Sequence, residues 1–327
     1  MRQAPYEVPA ARRIRVIIDT DCACEADDQF AVVHQLMTPK LEVVGITAAQ
    51  FGAHFGAASA AESVRRSYDE ICRLLELTGL TGAVPVLQGC AQPLPDEQTP
   101  VDSEASRFLV EQAMREDALP LFVVVQGALT NLASAYLLCP EIAGRLIAVW
   151  VGGGSYPGGE YEFNADNDIH AANVILDSPI ELWQIPKDVY STMQVSFAVL
   201  YDRVHPCGEI GRYLVDHMMR EVAPGPMLRM SADKEKRLRA EGYSRGAMRC
   251  AYPGGEHWLL GDSAAVGLLL SDHLRCFSLV GAPRIEPDGC RYRLRPDNPR
   301  RIRVYHSVDR TFILEDFFAK LRYYFGS

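Results

Sequence analysis

The chain has 327 residues, 48% of them hydrophobic and 23% charged, an ordinary globular composition with length enough for one large core or two domains. A formal net charge of −9 argues against a general nucleic-acid or anionic-membrane binder, which needs clustered basic surface, and leaves a small molecule as the simpler partner. The opening M-R-Q-A-P-Y-E-V-P-A-A-R-R lacks the apolar centre of a signal peptide, and no later stretch is long and apolar enough to span a bilayer, so a cytoplasmic protein is expected.

In chain order, Arg15 to Asp19 reads as a strand and Ala26 to Met37 as a helix ended by Thr38-Pro39, with a second strand from Leu41 to Ile46. This strand–helix–strand unit with a charged loop is the mark of a parallel sheet, whose ligands bind beyond the carboxyl ends of the strands. A helix over Ala57 to Thr78, a short strand over Val84 to Leu87 and a helix over Ser103 to Glu116 follow. Leu121 to Val125 is wholly apolar, as a central parallel strand should be, and Q-G-A-L-T-N turns it into the helix Leu129 to Leu138. The pattern repeats with the strand Leu146 to Val151, a glycine-rich loop, the helix Asp168 to Leu176 and the strand Ile180 to Ile185. From about Ser191 the chain turns helical and polar, and the segment 191–258 is read as a helical insertion whose charged run, Ala232 to Gly242, is expected to be a solvated face able to act as a lid. Leu259-Leu260-Gly261-Asp262 leads into the helix Ser263 to Leu270, and the tail closes with strands and the helix Arg310 to Tyr324. With no repeat and no convincing linker, residues 1–327 form one α/β domain, an open, mainly parallel sheet flanked by helices.

The chemistry concentrates in V-I-I-D-T-D-C-A-C-E-A-D-D-Q-F, where Asp19, Asp21, Asp27 and Asp28 gather at a strand-to-helix junction. A helix N-terminus accounts for one or two acids, here Asp27 and Asp28. Asp19 and Asp21 add repulsion that protonation or a hard cation such as Ca²⁺ or Mg²⁺ would relieve. The nine cysteines are an odd number, scattered and without zinc-ligand spacing, and fit reduced, buried thiols. Cys22 and Cys24 are expected to pack the loop, since nothing activates a thiolate beside so many acids.

Several motifs in order make the chain resemble the nucleoside hydrolase family, the calcium-dependent N-ribohydrolases, over essentially its whole length. They are D-T-D-C-A-C-E-A-D-D, L-E-V-V-G-I-T, V-P-V-L-Q-G, Q-G-A-L-T-N-L-A, V-G-G-G, E-F-N-A-D-N-D-I-H-A-A and G-D-S-A-A-V. The resemblance implies the open parallel sheet, a Ca²⁺ cofactor, a nucleoside or related N-riboside as substrate and a homo-oligomer. It implies metal ligation by Asp21, Asp28, the backbone carbonyl of Thr130 and Asp262, with Asp21 also the catalytic base that takes a proton from the attacking water. Asp27, Glu162 and Asn164 match sugar-binding positions, Asp19 a supporting aspartate, and Asn131 and Asp168 structural ones.

The chain departs from the family at four places. C-A-C-E-A makes the opening loop two residues longer. An asparagine expected after G-I-T falls near Gly52, leaving Gln50 or His54 as substitutes. The loop before Glu162 offers Tyr156 or Glu160 where another asparagine is usual, and Gly261 stands where many members carry a histidine that protonates the leaving base. His54, His257 and Trp258 are therefore candidate leaving-group contacts. His170 reads as a helix-face residue. Two rival readings follow: a sugar- or nucleoside-binding protein that keeps the metal pocket without turnover, and a metal-dependent phosphohydrolase suggested by the strand ending D-T-D. The second lacks a fitting lysine for phosphate and leaves E-F-N and L-T-N unexplained.

Overall fold

The computed structural model describes residues 4–222, 256–271, 276–289 and 291–326. Its first half alternates strands and helices: β1 (Ile14–Thr20), α1 (Asp28–Leu36), β2 (Leu41–Ala48), α2 (Ala60–Leu77), β3 (Val86–Gln88), α3 (Glu104–Met114), β4 (Leu121–Gln126), α4 (Thr130–Leu138) and β5 (Leu146–Val151). Then come the short α5 (Phe163–Asp166), α6 (Ile169–Asp177), β6 (Glu181–Ile185), α7 (Lys187–Tyr190), β7 (Gln194–Ser196), α8 (Phe197–Arg203) and α9 (Gly208–Val222). The remainder holds β8 (His257–Leu259), α10 (Ser263–Leu270), β9 (Phe277–Gly281), a hairpin of β10 (Arg284–Ile285) and β11 (Tyr292–Arg293), β12 (Arg301–Tyr305) and α11 (Arg310–Phe325).

The main sheet runs β3-β2-β1-β4-β5-β6-β12-β9, parallel except for β9, which pairs antiparallel with β12. Its central strands are buried along their whole length, β1 over seven residues and β4 over six, because helices cover both faces. Successive residues divide between those faces. Val16, Ile18, Phe122 and Val124 join the core under α1, α10 and α11, whereas Ile17, Val123 and Val125 join the core under α4 and α6. α10 is apolar on every side after Ser263 and buried from Ser263 to Leu269, as its sequence S-A-A-V-G-L-L-L requires. Chain order reverses between β1 and β4, so the loops after these two strands diverge and leave a crevice at their carboxyl ends.

The mainly parallel sheet agrees with the sequence reading. Differences in element boundaries come from capping: Ser59 accepts from Glu62 N at 3.2 Å and so starts α2 three residues later than the expected Ala57. Within the stretch read as an insertion, β7 pairs with β8, and α9 packs on α2 and α11. The expected lid at Ala232 to Gly242 lies outside the described residues. No helix among the described residues is long and apolar enough to cross a membrane.

Close backbone approach at Gly89 ties β2 to α4 beneath the crevice. A Cβ there would lie 2.1 Å from Ala48 O and 2.6 Å from the Asn131 side chain. Gly89→Ala is accordingly expected to destabilise the protein by about 1–3 kcal/mol through overpacking, read as a lowered urea midpoint at unchanged m-value.

Candidate active site

β1 delivers Asp19 and Asp21 to the crevice, but the two aspartates do different work. Asp19 is buried and accepts from Thr47 Oγ1 at 2.5 Å and from Asn131 Nδ2 at 2.7 Å, while Asn131 Oδ1 accepts from Cys90 N at 2.8 Å. This knits β1, β2 and α4 together and gives Asp19 and Asn131 the supporting roles expected of them. Burial pushes the Asp19 carboxyl up to about 6 despite both hydrogen bonds. Asp21, two residues on, turns into the cleft, and its Oδ2 is buried with no hydrogen-bond partner among the described residues.

Asp27 and Asp28 arrive with the first turn of α1. Asp27 caps the helix, accepting from Asp28 N at 3.1 Å, and its other oxygen accepts from Asp262 N at 3.3 Å, which binds the start of α10 to the start of α1. Asp28 accepts from the Thr20 hydroxyl. One carboxylate oxygen from each of Asp27, Asp28 and Asp262 falls within 4.8 Å of the others. Burial and mutual repulsion raise Asp21, Asp28 and Asp262 well above the usual carboxylate range; burial pushes Asp27 up to about 6.

The longer loop is absorbed by packing. Cys24 N donates to Asp21 O at 2.7 Å, and Gln29 Nε2 donates to Cys22 O at 2.6 Å and Glu25 O at 3.3 Å, clamping both ends of the insertion. Cys24 is buried against Phe51 and Ala57, with Phe55 and Phe163 beside them. Both thiols are buried in the loop, and burial together with the neighbouring carboxylates raises them, which disfavours the thiolate.

Glu162 and Asn164 form the opposite wall. Glu162 Oε2 accepts from Gly153 N at 2.7 Å and Ala165 N at 2.9 Å, and Oε1 from Asn164 N at 3.2 Å and Tyr190 Oη at 2.9 Å. Asn164 Nδ2 donates to Val151 O at 2.9 Å, leaving its second amide hydrogen for the cleft. Six carboxylates, those of Asp21, Glu25, Asp27, Asp28, Glu162 and Asp262, line this cleft, and among the described residues lining it there is no lysine, arginine or histidine. Such a wall repels phosphate and other anions and favours a cation or a substrate that develops positive charge.

The structure does not bring every expected residue here. Thr130 opens α4, where its hydroxyl donates to Asp168 Oδ2 at 2.8 Å and its carbonyl accepts from Cys90 Sγ at 3.9 Å, and it does not line the cleft; Gln126, the last residue of β4, does. Asp27 stands with Asp28 and Asp262 in the oxygen cluster, with Asp21 beside it. Strand alternation in β8 sends His257 to solvent and Trp258 into the core, and only Leu259 reaches the cleft. His54 is exposed and stacks edge-on against the cleft residue Phe163, with ring centroids 5.5 Å apart. Gln50 is buried and accepts from Gly52 N at 2.7 Å, and Glu160 pairs with Lys187 at 3.1 Å; neither these nor Tyr156 lines the cleft. His170 is half exposed on α6, and Asp168 caps that helix at Ala171 N, 2.9 Å away. Sequence reasoning missed Gln126 and Tyr190; Gln126 is the last residue of β4 and so was within reach of the strand-end rule, whereas Tyr190 ends α7 and carried no such signal.

Because these carboxyls titrate higher folded than unfolded, their stabilising contribution is full below the unfolded carboxylate range and is lost as pH rises through the folded values. Metal-free protein should therefore melt at a higher temperature at pH 6 than at pH 8. Asp262→Asn should raise the metal-free melting temperature at pH 8 and reduce any further rise on adding a divalent cation.

The comparisons with known proteins agree with this architecture. In sequence, the chain is 24% identical over 200 residues to the pyrimidine-specific ribonucleoside hydrolase RihA of Escherichia coli O9:H4 (strain HS), a match covering 54% of this chain and 61% of that relative's length. In structure, it is similar to the purine-preferring ribonucleoside hydrolase from Gardnerella vaginalis, with a TM-score of 0.71 at 17% identity over 95% of this chain and 98% of the other. A plant nucleoside hydrolase, the PpNRh1 enzyme, aligns with a TM-score of 0.68 at 18% identity over 94% and 98% of the two chains. The family described as inosine-uridine preferring nucleoside hydrolase matches residues 16–314, and the chain belongs to that family.

Proposed function

We propose that the protein hydrolyses the N-glycosidic bond of a nucleoside or related N-riboside, with calcium as cofactor and Asp21 as general base. The observation that carries this reading is the cleft itself, with six converging carboxylates, no basic side chain among its described lining residues, and three acidic oxygens within 4.8 Å. An all-oxygen donor set drawn from Asp27, Asp28 and Asp262 fits a hard cation, as does the partnerless buried oxygen of Asp21 beside it. Such a cation, when bound, supplies the positive charge that holds the acids ionised, orients vicinal sugar hydroxyls and acidifies a water.

The chain's own groups do the rest. Asp21 has an oxygen free to accept the proton of the attacking water, and a buried carboxylate with a raised pKa is a stronger base than an exposed one. As the glycosidic bond breaks, the sugar gains oxocarbenium character, and the carboxylates of the cleft stabilise that charge across a short, dry distance. Asn164 offers an amide hydrogen to the sugar, and Phe163, backed by the edges of His54 and Phe55, supplies aromatic surface for a planar leaving group. Among the described residues lining the cleft no cationic side chain offers phosphate a partner, which disfavours a phosphohydrolase.

Release of reducing sugar from purine, pyrimidine and nitrophenyl ribosides tests the proposal. Turnover should require calcium and vanish with chelator. Asp21→Ala should lower kcat by about 10²–10⁴-fold while the protein still binds riboside, and His257→Ala should leave the rate unchanged. Binding without turnover in the wild type would instead establish a sugar- or nucleoside-binding protein.

A further inference from the structure

Asp21 sits between two residues that the first turn of α1 holds in place. On one side Thr20 donates its hydroxyl to Asp28. On the other, Gln29 Nε2 donates to Cys22 O at 2.6 Å and to Glu25 O at 3.3 Å. Between these contacts lies a turn closed by Cys24 N, which donates to Asp21 O at 2.7 Å. The loop from Cys22 to Asp27 belongs to neither strand nor helix, so its carbonyls take their partners from outside any regular ladder. Adjacent residues of α1 thus fix the backbone on both sides of Asp21, Asp28 as a carboxylate of the oxygen cluster and Gln29 as a neutral amide.

Packing alone does not explain an amide at position 29. Gln29 is 1% exposed, and its Oε1 is buried without a hydrogen-bond partner among the described residues. An unpaired buried carbonyl costs stability that an apolar side chain of the same length would not, which leaves the donor end as the useful one. The same Nε2 lies 3.2 Å from His217 Nε2 on α9. His217 stacks on Tyr213, whose hydroxyl donates to the two oxygens of Glu70 on α2 at 2.8 and 2.7 Å. Gln29 is thereby tied to α9 as well as to the loop. A restraint is needed there, because the charges of Asp28, Asp27 and Glu25 push against that of Asp21. A loop with free carbonyls would relax by carrying Asp21 away from its neighbours.

We propose that Gln29 is a positioning residue, whose amide clamps the loop after β1 and so keeps Asp21 beside the oxygen cluster of Asp27, Asp28 and Asp262, where one cation is held. It does not line the cleft, and it acts through the carbonyl of Cys22 and the turn that follows Asp21. This inference rests on the reading of the cleft as a calcium-dependent riboside site.

The test compares wild type with Gln29→Met, which keeps the length of the side chain and removes the donor. Gln29→Asn serves as a second variant, its amide one methylene too short to reach both carbonyls. Calorimetry with calcium alone gives Kd, and nitrophenol release from a nitrophenyl riboside at saturating calcium gives kcat and KM. Both variants should bind calcium about 10–100-fold more weakly and turn over more slowly, with KM unchanged because Gln29 does not line the cleft. A lowered melting temperature with wild-type Kd and kcat would mark Gln29 as loop packing and overturn the proposal. Should the wild type bind calcium without cleaving riboside, the hydrolase reading falls while weaker calcium binding by the variants still supports Gln29. Absence of calcium binding by the wild type overturns both.

Discussion

Repulsion among buried carboxylates is the constraint on which this structure depends. Asp21, Asp27, Asp28 and Asp262 come from two separate parts of the sequence to one crevice, where burial and the charges of Asp27 and Asp28 make the others harder to ionise. Unlike charges could have balanced them, but no basic side chain among the described residues lines the cleft. The fold holds the acids together through backbone. Asp27 accepts from the amides of residues 28 and 262, so the starts of α1 and α10 are joined by the same carboxylate that contributes an oxygen to the cluster. Helix termini tolerate negative charge, which lowers the cost of bringing the group together.

The rest of the molecule serves as a rigid frame for this edge. Seven parallel strands aim their carboxyl ends in one direction, and the reversal of order between β1 and β4 opens the crevice where Asp21 and Gln126 emerge. Beneath it, the Asp19, Thr47 and Asn131 hydrogen bonds lock β1 to its neighbours with short distances and full burial. Four acids presented by flexible loops would separate and take up water. Presented from strand ends and first helical turns, they cannot, and a hard cation is the natural counter-charge.

Division of labour among similar side chains follows from hydrogen-bond saturation. Asp19 and Asp168 are acidic and buried, yet each is largely occupied by amides or hydroxyls of its own surroundings and acts as a structural cap or brace. Asp21 keeps an oxygen without a partner and is therefore available to chemistry. The extended C-A-C-E-A loop changes none of this, since its two thiols fill apolar space and Gln29 clasps its carbonyls.

Much of this was legible in the residues alone. Apolar runs such as L-F-V-V-V and the repeated strand-then-helix rhythm determine a parallel sheet, because a strand buried on both faces has no polar positions to alternate. The crowding of aspartates at the end of β1 and the lone acid before α10 likewise announce where charge must be managed. Tertiary structure decided which of these atoms meet. Thr130 and Gln126 are joined by one short turn, yet Gln126 at the strand end lines the cleft and Thr130 in the first turn of α4 does not. His257 and Trp258 stand five and four residues before Asp262, and strand alternation sends one to solvent and the other into the core. Tyr190 gave no signal as a cleft residue because its place there depends on packing against Gly261, more than 70 positions along the chain. Local periodicity fixes which face a residue takes within its own element, whereas the meeting of distant elements is settled only when the whole sheet closes.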